Sequence, residues 1–403
     1  MGRVVVTGLG CLTSVGKDPL RLWDSLMKGR SNAGPVHSFD TSGMERHIGC
    51  EIPDWRPRRD GKGYMDDLTC RARNLASYAA RQALEDAGVP RALYERLSIC
   101  VGTTMSELFN GVNSRTETVR VRGLRPVPNS YASIRVNCIA THLAEELGAR
   151  GTALVIPTAC AAGNYAIGYA HLLISMGRAP VVLAGGSDAF SRIAFIGFSR
   201  LRAMSPDMCR PFDRDRQGLL VGEGSAFLLL EDEKSARKRR AKIYAEILGC
   251  GLSCDGFHIA APHPQGLGAA LAIQRALKQA RVSEERVVYI SAHGTGTLAN
   301  DRIETIAIKR VFGRGAFKIP VSSIKALLGH SMGAASAIEA VVSALVLMKR
   351  YVPPTWNYRT PDPACDLDYV PNEPRSLRKP GVVLSNSFAF GGNNACLALG
   401  PYR

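Results

Sequence analysis

Leu154-Val155-Ile156-Pro157-Thr158-Ala159-Cys160-Ala161-Ala162-Gly163 holds the fold in miniature. Three apolar residues and a proline lead into a cysteine, and small residues then open a helical stretch over Ala161–Met176. A short, continuously apolar strand is one covered by other elements on both faces, as in sheets sandwiched by helices. Breaking that strand just before Cys160 and starting a helix just after it puts the thiol at a helix N-terminus. Unpaired N–H groups and the helix dipole favour a thiolate there. A cysteine buried in a tight strand–helix turn would show the same local sequence, so Cys160 needs partners from elsewhere in the chain to be a nucleophile.

Outward from this run the same rhythm continues. Val4–Thr7, Leu97–Gly102, Pro180–Ala184, Phe227–Leu230 and Lys242–Leu248 read as strands, and residues 71–87 as a helix whose apolar side is mostly alanine. The second half repeats it. Leu267–Ala280, Asp301–Val311 and Ser331–Met348 read as helices, and Val287–Ser291, Val321–Ser323 and Val382–Asn386 as strands. Short apolar strands alternating with helices define an α/β class with buried parallel or mixed sheets. The 403 residues exceed one usual core, so two halves are expected, 1–250 and 251–403.

Composition narrows the function. No apolar run approaches the roughly 20 residues of a bilayer span, and Met1–Gly10 lacks the features of a secretory leader, so a cytoplasmic protein with no membrane partner is expected. The eleven cysteines are scattered singly and without zinc-ligand spacing, so no metal is expected. The net charge of +16 is dispersed, apart from Arg237–Arg240 and the cluster Arg56, Arg58, Arg59 and Lys62. No nucleic-acid-binding motif accompanies it, and an acidic protein partner fits this surplus better than nucleic acid.

Three further segments pair a reactive or flexible group with a strand end. Ala292-His293-Gly294-Thr295-Gly296-Thr297 places a histidine, glycines and hydroxyls after Val287–Ser291. Lys325-Ala326-Leu327-Leu328-Gly329-His330 opens the helix that carries Glu339. Asn386-Ser387-Phe388-Ala389-Phe390-Gly391-Gly392-Asn393-Asn394 closes the last of these strands. Each alone reads as well as a turn, a helix cap or a hairpin. One cysteine and two histidines beside strand ends form a candidate nucleophile and acid–base set, with a metal site as the rival reading.

Taken in this order, the four segments resemble the elongating β-ketoacyl-[acyl-carrier-protein] synthases of the synthase II type and their polyketide relatives. The resemblance runs from Arg3-Val4-Val5-Val6-Thr7-Gly8-Leu9-Gly10 through Arg210-Pro211-Phe212-Asp213 and Gly222-Glu223-Gly224 to Phe388–Gly392. It implies a duplicated thiolase-like fold of five layers, α-β-α-β-α. It also implies decarboxylative condensation of a cysteine-bound acyl chain with malonyl-[acyl-carrier-protein] to give 3-oxoacyl-[acyl-carrier-protein], with no cofactor beyond the carrier's phosphopantetheine. Cys160 resembles the nucleophile, His293 and His330 the decarboxylating pair, and Lys325 and Glu339 their support. The N–H groups of Cys160 and Phe390 resemble the oxyanion hole. Thr295 and Thr297 resemble the pantetheine contacts, the turn from Phe388 to Phe390 resembles the family's gate, and Asp255 resembles the facing loop. Met105, Phe190 and Phe198 resemble the boundary of the acyl pocket, and Arg202 and Arg210 carrier-docking residues. The partner is an acyl carrier protein, and the assembly a homodimer or a heterodimer with a chain-length-factor paralogue. Ala161, Ala162, Pro157, Ala389 and Asn393 depart from the family pattern, which points as readily to a specialised polyene or polyketide pathway as to housekeeping fatty-acid synthesis. A scaffolding paralogue and a CoA-dependent thiolase are the alternatives; a thiolase would need a second cysteine, and Cys396 lies in an apolar run.

Overall fold

The computed structural model describes residues 2–52, 55, 70–106 and 136–402, so Arg56, Arg58, Arg59 and Lys62 lie outside the described residues. The first half runs β1 (Val4–Thr13), α1 (Arg71–Ala87), β2 (Leu97–Gly102), α2 (Cys138–Leu147), β3 (Ala153–Ile156), α3 (Ala162–Ser175), β4 (Val181–Asp188) and β5 (Gly224–Asp232). The second runs β6 (Ala245–Cys254), α4 (Leu267–Ala280), β7 (Val287–Ser291), α5 (Leu298–Phe312), β8 (Val321–Ser322), α6 (Ala335–Lys349), β9 (Val382–Phe388) and β10 (Asn393–Gly400).

The strand orders are β3-β2-β4-β5-β1 and β8-β7-β9-β10-β6. In the first half β2 is parallel to β3 and β4, while β4–β5 and β5–β1 are antiparallel. In the second half β7 is parallel to β8 and β9, while β9–β10 and β10–β6 are antiparallel. Order and direction match strand for strand, so one topology has been used twice. The halves join where β1 meets β6 at Val4–Ile247, Val5–Glu246 and Val6–Ala245. The expected boundary at 250/251 therefore cuts through β6; the division falls between Asp232 and Ala245.

Alternation along the strands explains the layers. On β4, Val182 and Ala184 face the middle of the molecule while Val181 and Leu183 face outward. Leu228 and Leu230 divide from Phe227 and Leu229 on β5 in the same way. The outward side of the first sheet is covered by α1 and α2, and that of the second by α4 and α5. Between the sheets lie α3 and α6, packed on each other and on both sheets. The result is the five-layered α-β-α-β-α arrangement. Close approach of α1 to β1 depends on absent side chains, because a Cβ at Gly8 or Gly10 would meet the carbonyl oxygen of Ala83 or Ala79 at 2.0 Å. The helical run Met332–Lys349 does reach 18 residues with the composition of a membrane span, contrary to the sequence expectation, yet 89% of it is buried inside the protein. Its apolar surface is that of the central helix of a core.

Candidate active site

The four segments all leave the C-terminal ends of strands: β3 leads to Cys160, β7 to His293, β8 to Lys325 and His330, and β9 to Phe390. Crevices beyond the carboxyl ends of parallel strands are where α/β sheets place their ligands. Here the ends converge on a cavity of about 320 Å³ lined by Cys160, His293, His330, Phe198, Phe388 and Phe390.

Cys160 sits in a tight turn, Ala159–Ala161, that runs into α3. Ala159 adopts φ +49°, a left-handed conformation costly for a residue with a Cβ, and this bends the chain sharply enough to present the next residue. The Cys160 carbonyl is tied to β9 by a 2.9 Å hydrogen bond donated by Ser387 Oγ. The sulfur and one ring nitrogen from each of His293 and His330 all lie within 4.8 Å of one another, and all three residues are buried. Burial pushes the thiol up to about 12, against the opposing pull of Lys325 and of the residue's own N–H. This runs against the thiolate that a helix N-terminus favours, burial being the largest influence on the sulfur.

Burial, reinforced by the Lys325 charge, holds both histidines well below the usual imidazole range. They are neutral near pH 7. His330 Nδ1 accepts the Met332 N–H at 3.1 Å, so the proton of the neutral ring is on Nε2, which has no partner. That tautomer of His330 is not the arrangement usual for a metal ligand. A metal-bound imidazole offers the lone pair of one nitrogen while its other N–H donates to an acceptor, and here Nδ1 faces a donor.

Lys325 is 1% exposed; its Nζ donates to the His293 carbonyl at 2.6 Å and pairs with Glu339. Burial raises the Glu339 carboxyl to about 7 despite that lysine. Thr295 and Thr297 lie in the cavity wall with their hydroxyls 2.9 Å apart. Thr297 also caps α5 by accepting the Asn300 N–H. The turn Ala389–Gly392 is the antiparallel connection of β9 to β10, as the hairpin reading has it, and Phe388, Ala389, Phe390 and Gly392 line the cavity. Asp255 braces it: its N–H donates to the Gly392 carbonyl at 2.9 Å, and its carboxylate accepts from Asn394 Nδ2 and the His263 N–H. The Phe390 ring is 5.5 Å from that of Phe198.

Other expected residues divide. Phe198 lines the cavity, whereas Met105 and Phe190 do not. They belong to an apolar cluster behind it, where Phe190 is 1% exposed and its ring lies 5.8 Å from that of Phe39. Arg202 is exposed at the cavity mouth and makes no ion pair among the described residues. Arg210 is instead held by Asp207 at 2.5 Å, so its charge is already partnered. Of the run Arg237–Arg240, two arginines are partnered as well, Arg237 by Glu233 and Arg239 by Glu231.

Sequence reasoning missed Glu304, Ser387 and Asp188. Glu304 accepts the His293 and Gly294 N–H groups at 2.9 and 2.8 Å, and burial raises it to about 7. Its signal was a carboxylate three residues after Asp301, on the same face of the helix. The signal for Asp188 was a charge ending an apolar strand just after Gly185-Gly186. Cys396 is fully buried in β10, away from the cavity, which removes the second cysteine a thiolase would need.

Comparison with known proteins agrees with this geometry. Residues 1–236 match the β-ketoacyl synthase N-terminal domain and residues 244–359 its C-terminal domain. The chain is 40% identical to 3-oxoacyl-[acyl-carrier-protein] synthase 2 of Synechocystis sp., over all of this chain and 98% of the relative. Among solved structures, the ishigamide ketosynthase/chain length factor superposes with a TM-score of 0.94 at 41% identity, covering both chains fully. A type II polyketide-synthase acyl carrier protein in complex with its ketosynthase, bound to the hexaketide, gives 0.91 at 32%, again covering both chains fully. The chain belongs to the β-ketoacyl synthase family. It is accordingly a ketosynthase, an acyltransferase that forms carbon–carbon bonds.

Proposed function

We propose that this ketosynthase extends an acyl chain held on Cys160 by a malonyl unit delivered on an acyl carrier protein, with the residues of the cavity in the following roles. The Cys160 sulfur attacks the incoming acyl thioester, and the carrier leaves with the thiol proton. Malonyl-carrier then loses CO₂, and the electrons of the broken bond pass into an enolate. The Nε2–H of His330, together with His293, donates to the enolate oxygen; neutral imidazoles suffice for this. The enolate carbon attacks the Cys160 thioester and expels the thiolate, which takes up one proton from solvent to regenerate the thiol. Oxyanion stabilisation is assigned to the N–H groups of Cys160 and Phe390. The Phe390 N–H has no hydrogen-bond partner among the described residues, although the flanking Ala389 and Gly391 N–H groups are both used. The electrons come from decarboxylation, so the scheme needs no bound cofactor.

The observation that carries the reading is the Cys160–His293–His330 cluster at the cavity floor. A complete cluster favours a condensing subunit over a scaffolding paralogue. Leu201, Leu298 and Phe390, all exposed around the mouth beside Arg202, supply an apolar and cationic rim suited to an acidic carrier. The described edge strand β3 is paired on one side only, by β2, which suits addition of a second, similar subunit, identical or paralogous. We assign the protein to the cytoplasm and to fatty-acid or specialised polyketide or polyene biosynthesis. The test is Cys160→Ala. It is expected to abolish 3-oxoacyl product and the mass shift of acyl loading while leaving malonyl decarboxylation measurable. Full condensation by the variant would sink the assignment.

A further inference from the structure

The main chain of His330 is anchored on both sides: its N–H donates to the Leu220 carbonyl at 2.8 Å, and its carbonyl accepts the Gly222 N–H at 3.0 Å. Among the described residues the ring makes a single hydrogen bond, from the Met332 N–H to Nδ1, beside ring contacts with Phe198 and His293. Met332 begins the short turn Met332–Ala334 with φ +52°, a conformation that persists only where its surroundings over-determine it. The surroundings are Asp188. It is fully buried at the end of β4, and its Oδ2 accepts the Gly333 N–H, the residue next to Met332, at 2.7 Å. The same oxygen takes the Thr104 N–H at 2.8 Å. Oδ1 takes Thr103 Oγ1 at 2.7 Å, the Met105 N–H at 2.8 Å and the Ser106 N–H at 3.2 Å.

We propose that Asp188 is a positioning residue for the condensation, fixing the turn that locks His330 as an Nε2–H donor. Two oxygens serve five donors, and only a carboxylate offers acceptors on both sides with no proton in between. The rigid strand β4 thereby sets the place of a turn that its own sequence would not hold. Asp188 also ties the exit of β2, which carries Met105, to the His330 turn, so the apolar cluster behind the cavity and the histidine share one anchor.

The inference rests on the role given to His330 above, and the experiment separates the two. Asp188→Asn keeps the shape but has one acceptor oxygen, so one set of donors faces an NH₂ group. Two rates are measured: CO₂ release from malonyl-carrier, which needs His330, and acyl loading of Cys160 by intact mass, which does not use its Nε2–H. Misplacing a reacting group by about 1 Å costs on the order of 100-fold, so decarboxylation is expected to fall at least 10-fold further than loading. Ring ¹⁵N shifts of His330 should move from a single Nε2–H tautomer to a mixture. A purely structural role would lower both rates in step with the folded fraction, and an unchanged ratio overturns the proposal. Should Asp188→Asn not fold, Thr103→Val removes one donor from Oδ1 and keeps the shape. A ratio shifted the same way supports the proposal, and a wild-type ratio overturns it. If His330→Ala decarboxylates like wild type, the fault lies with the role of His330 and not with Asp188.

Discussion

Replacing Lys325 by methionine tests how the site is held together. The chain length and shape are kept, and three things change: Glu339 loses its counter-charge, the His293 carbonyl loses a 2.6 Å donor, and one ammonium no longer has to be desolvated. Removing one partner of a buried pair costs about 3–5 kcal/mol, because the other charge stays buried. With an unfolding entropy of about 2.1 cal/mol/K per residue, a chain of 403 residues should lose about 4–6 °C in Tm. The loss should depend on pH. Burial already raises Glu339 to about 7, and losing the lysine raises it further. An acid whose folded pKa lies above its unfolded value favours the fold at low pH and withdraws that support as pH rises through the folded value. The deficit should therefore be larger at pH 8 than at pH 6. The double variant Lys325→Met/Glu339→Gln should recover most of it, since no buried charge remains. Calorimetry at the two pH values is the assay. A Tm within about 1 °C of wild type at pH 8, or a deficit that shrinks as pH rises, would refute the reasoning.

Iodoacetamide should alkylate Cys160 slowly at pH 7, with a rate that climbs about tenfold per pH unit up to pH 9, because burial holds the thiol near 12; a plateau by pH 7 would show a resting thiolate instead. Phe198→Ala, which opens the cavity wall, should shift products to longer chains, each added buried methylene being worth roughly 0.8 kcal/mol. Phe190→Ala should lower Tm without that shift, and identical product lengths from Phe198→Ala and wild type would place the acyl path elsewhere. Arg202→Glu should raise the KM for carrier-bound substrate more than it lowers kcat, and less so at high salt, where exposed charges are screened beyond about 8 Å. Arg210→Glu should instead lower stability, because it breaks the pair with Asp207.

The sequence made the fold class legible because most strands are buried on both faces and so read as plain apolar runs. It did not reveal α2, since Cys138–Leu147 has mixed polarity and buries only Ile139, Ala140 and Leu143. Around Cys396 it showed an apolar run but not a strand, because Asn393-Asn394 and the small residues blur the start, yet the register Val383–Leu399 to Phe388–Asn394 makes β10 a full partner of β9. The half boundary slipped because Gly249 and Gly251 punctuate β6, and glycine in a strand reads as an end; here they make room for α4, whose Ala272 carbonyl lies 1.9 Å from where a Gly251 Cβ would be. Strand-end placement made Cys160, His293 and His330 a candidate set, the resemblance supplied their roles, and the structure brings the three together. The protonation of Cys160 was not legible, because it depends on burial, which no local pattern carries. Met105 and Phe190 were misplaced by one layer: distance along the chain from a strand end does not say which side of the wall a side chain takes.

The central pair of helices has a consequence for how this chain is made. When the ribosome has finished β5, the inner side of the first sheet is covered by α3, but the surface that α6 will occupy on β5 is bare. The first half is then an open-faced body waiting for residues more than a hundred positions downstream. When α6 emerges it belongs to the 18-residue run Met332–Lys349, which has the composition of a membrane span, and β9 and β10, which bury its far side, come out only after it. During that interval the nascent chain offers an apolar helix to whatever binds such segments, chaperones and membrane-insertion machinery alike. Neither half is an exportable module, and fragments cut near residue 240 should be rescued as soluble protein only when both pieces are expressed together.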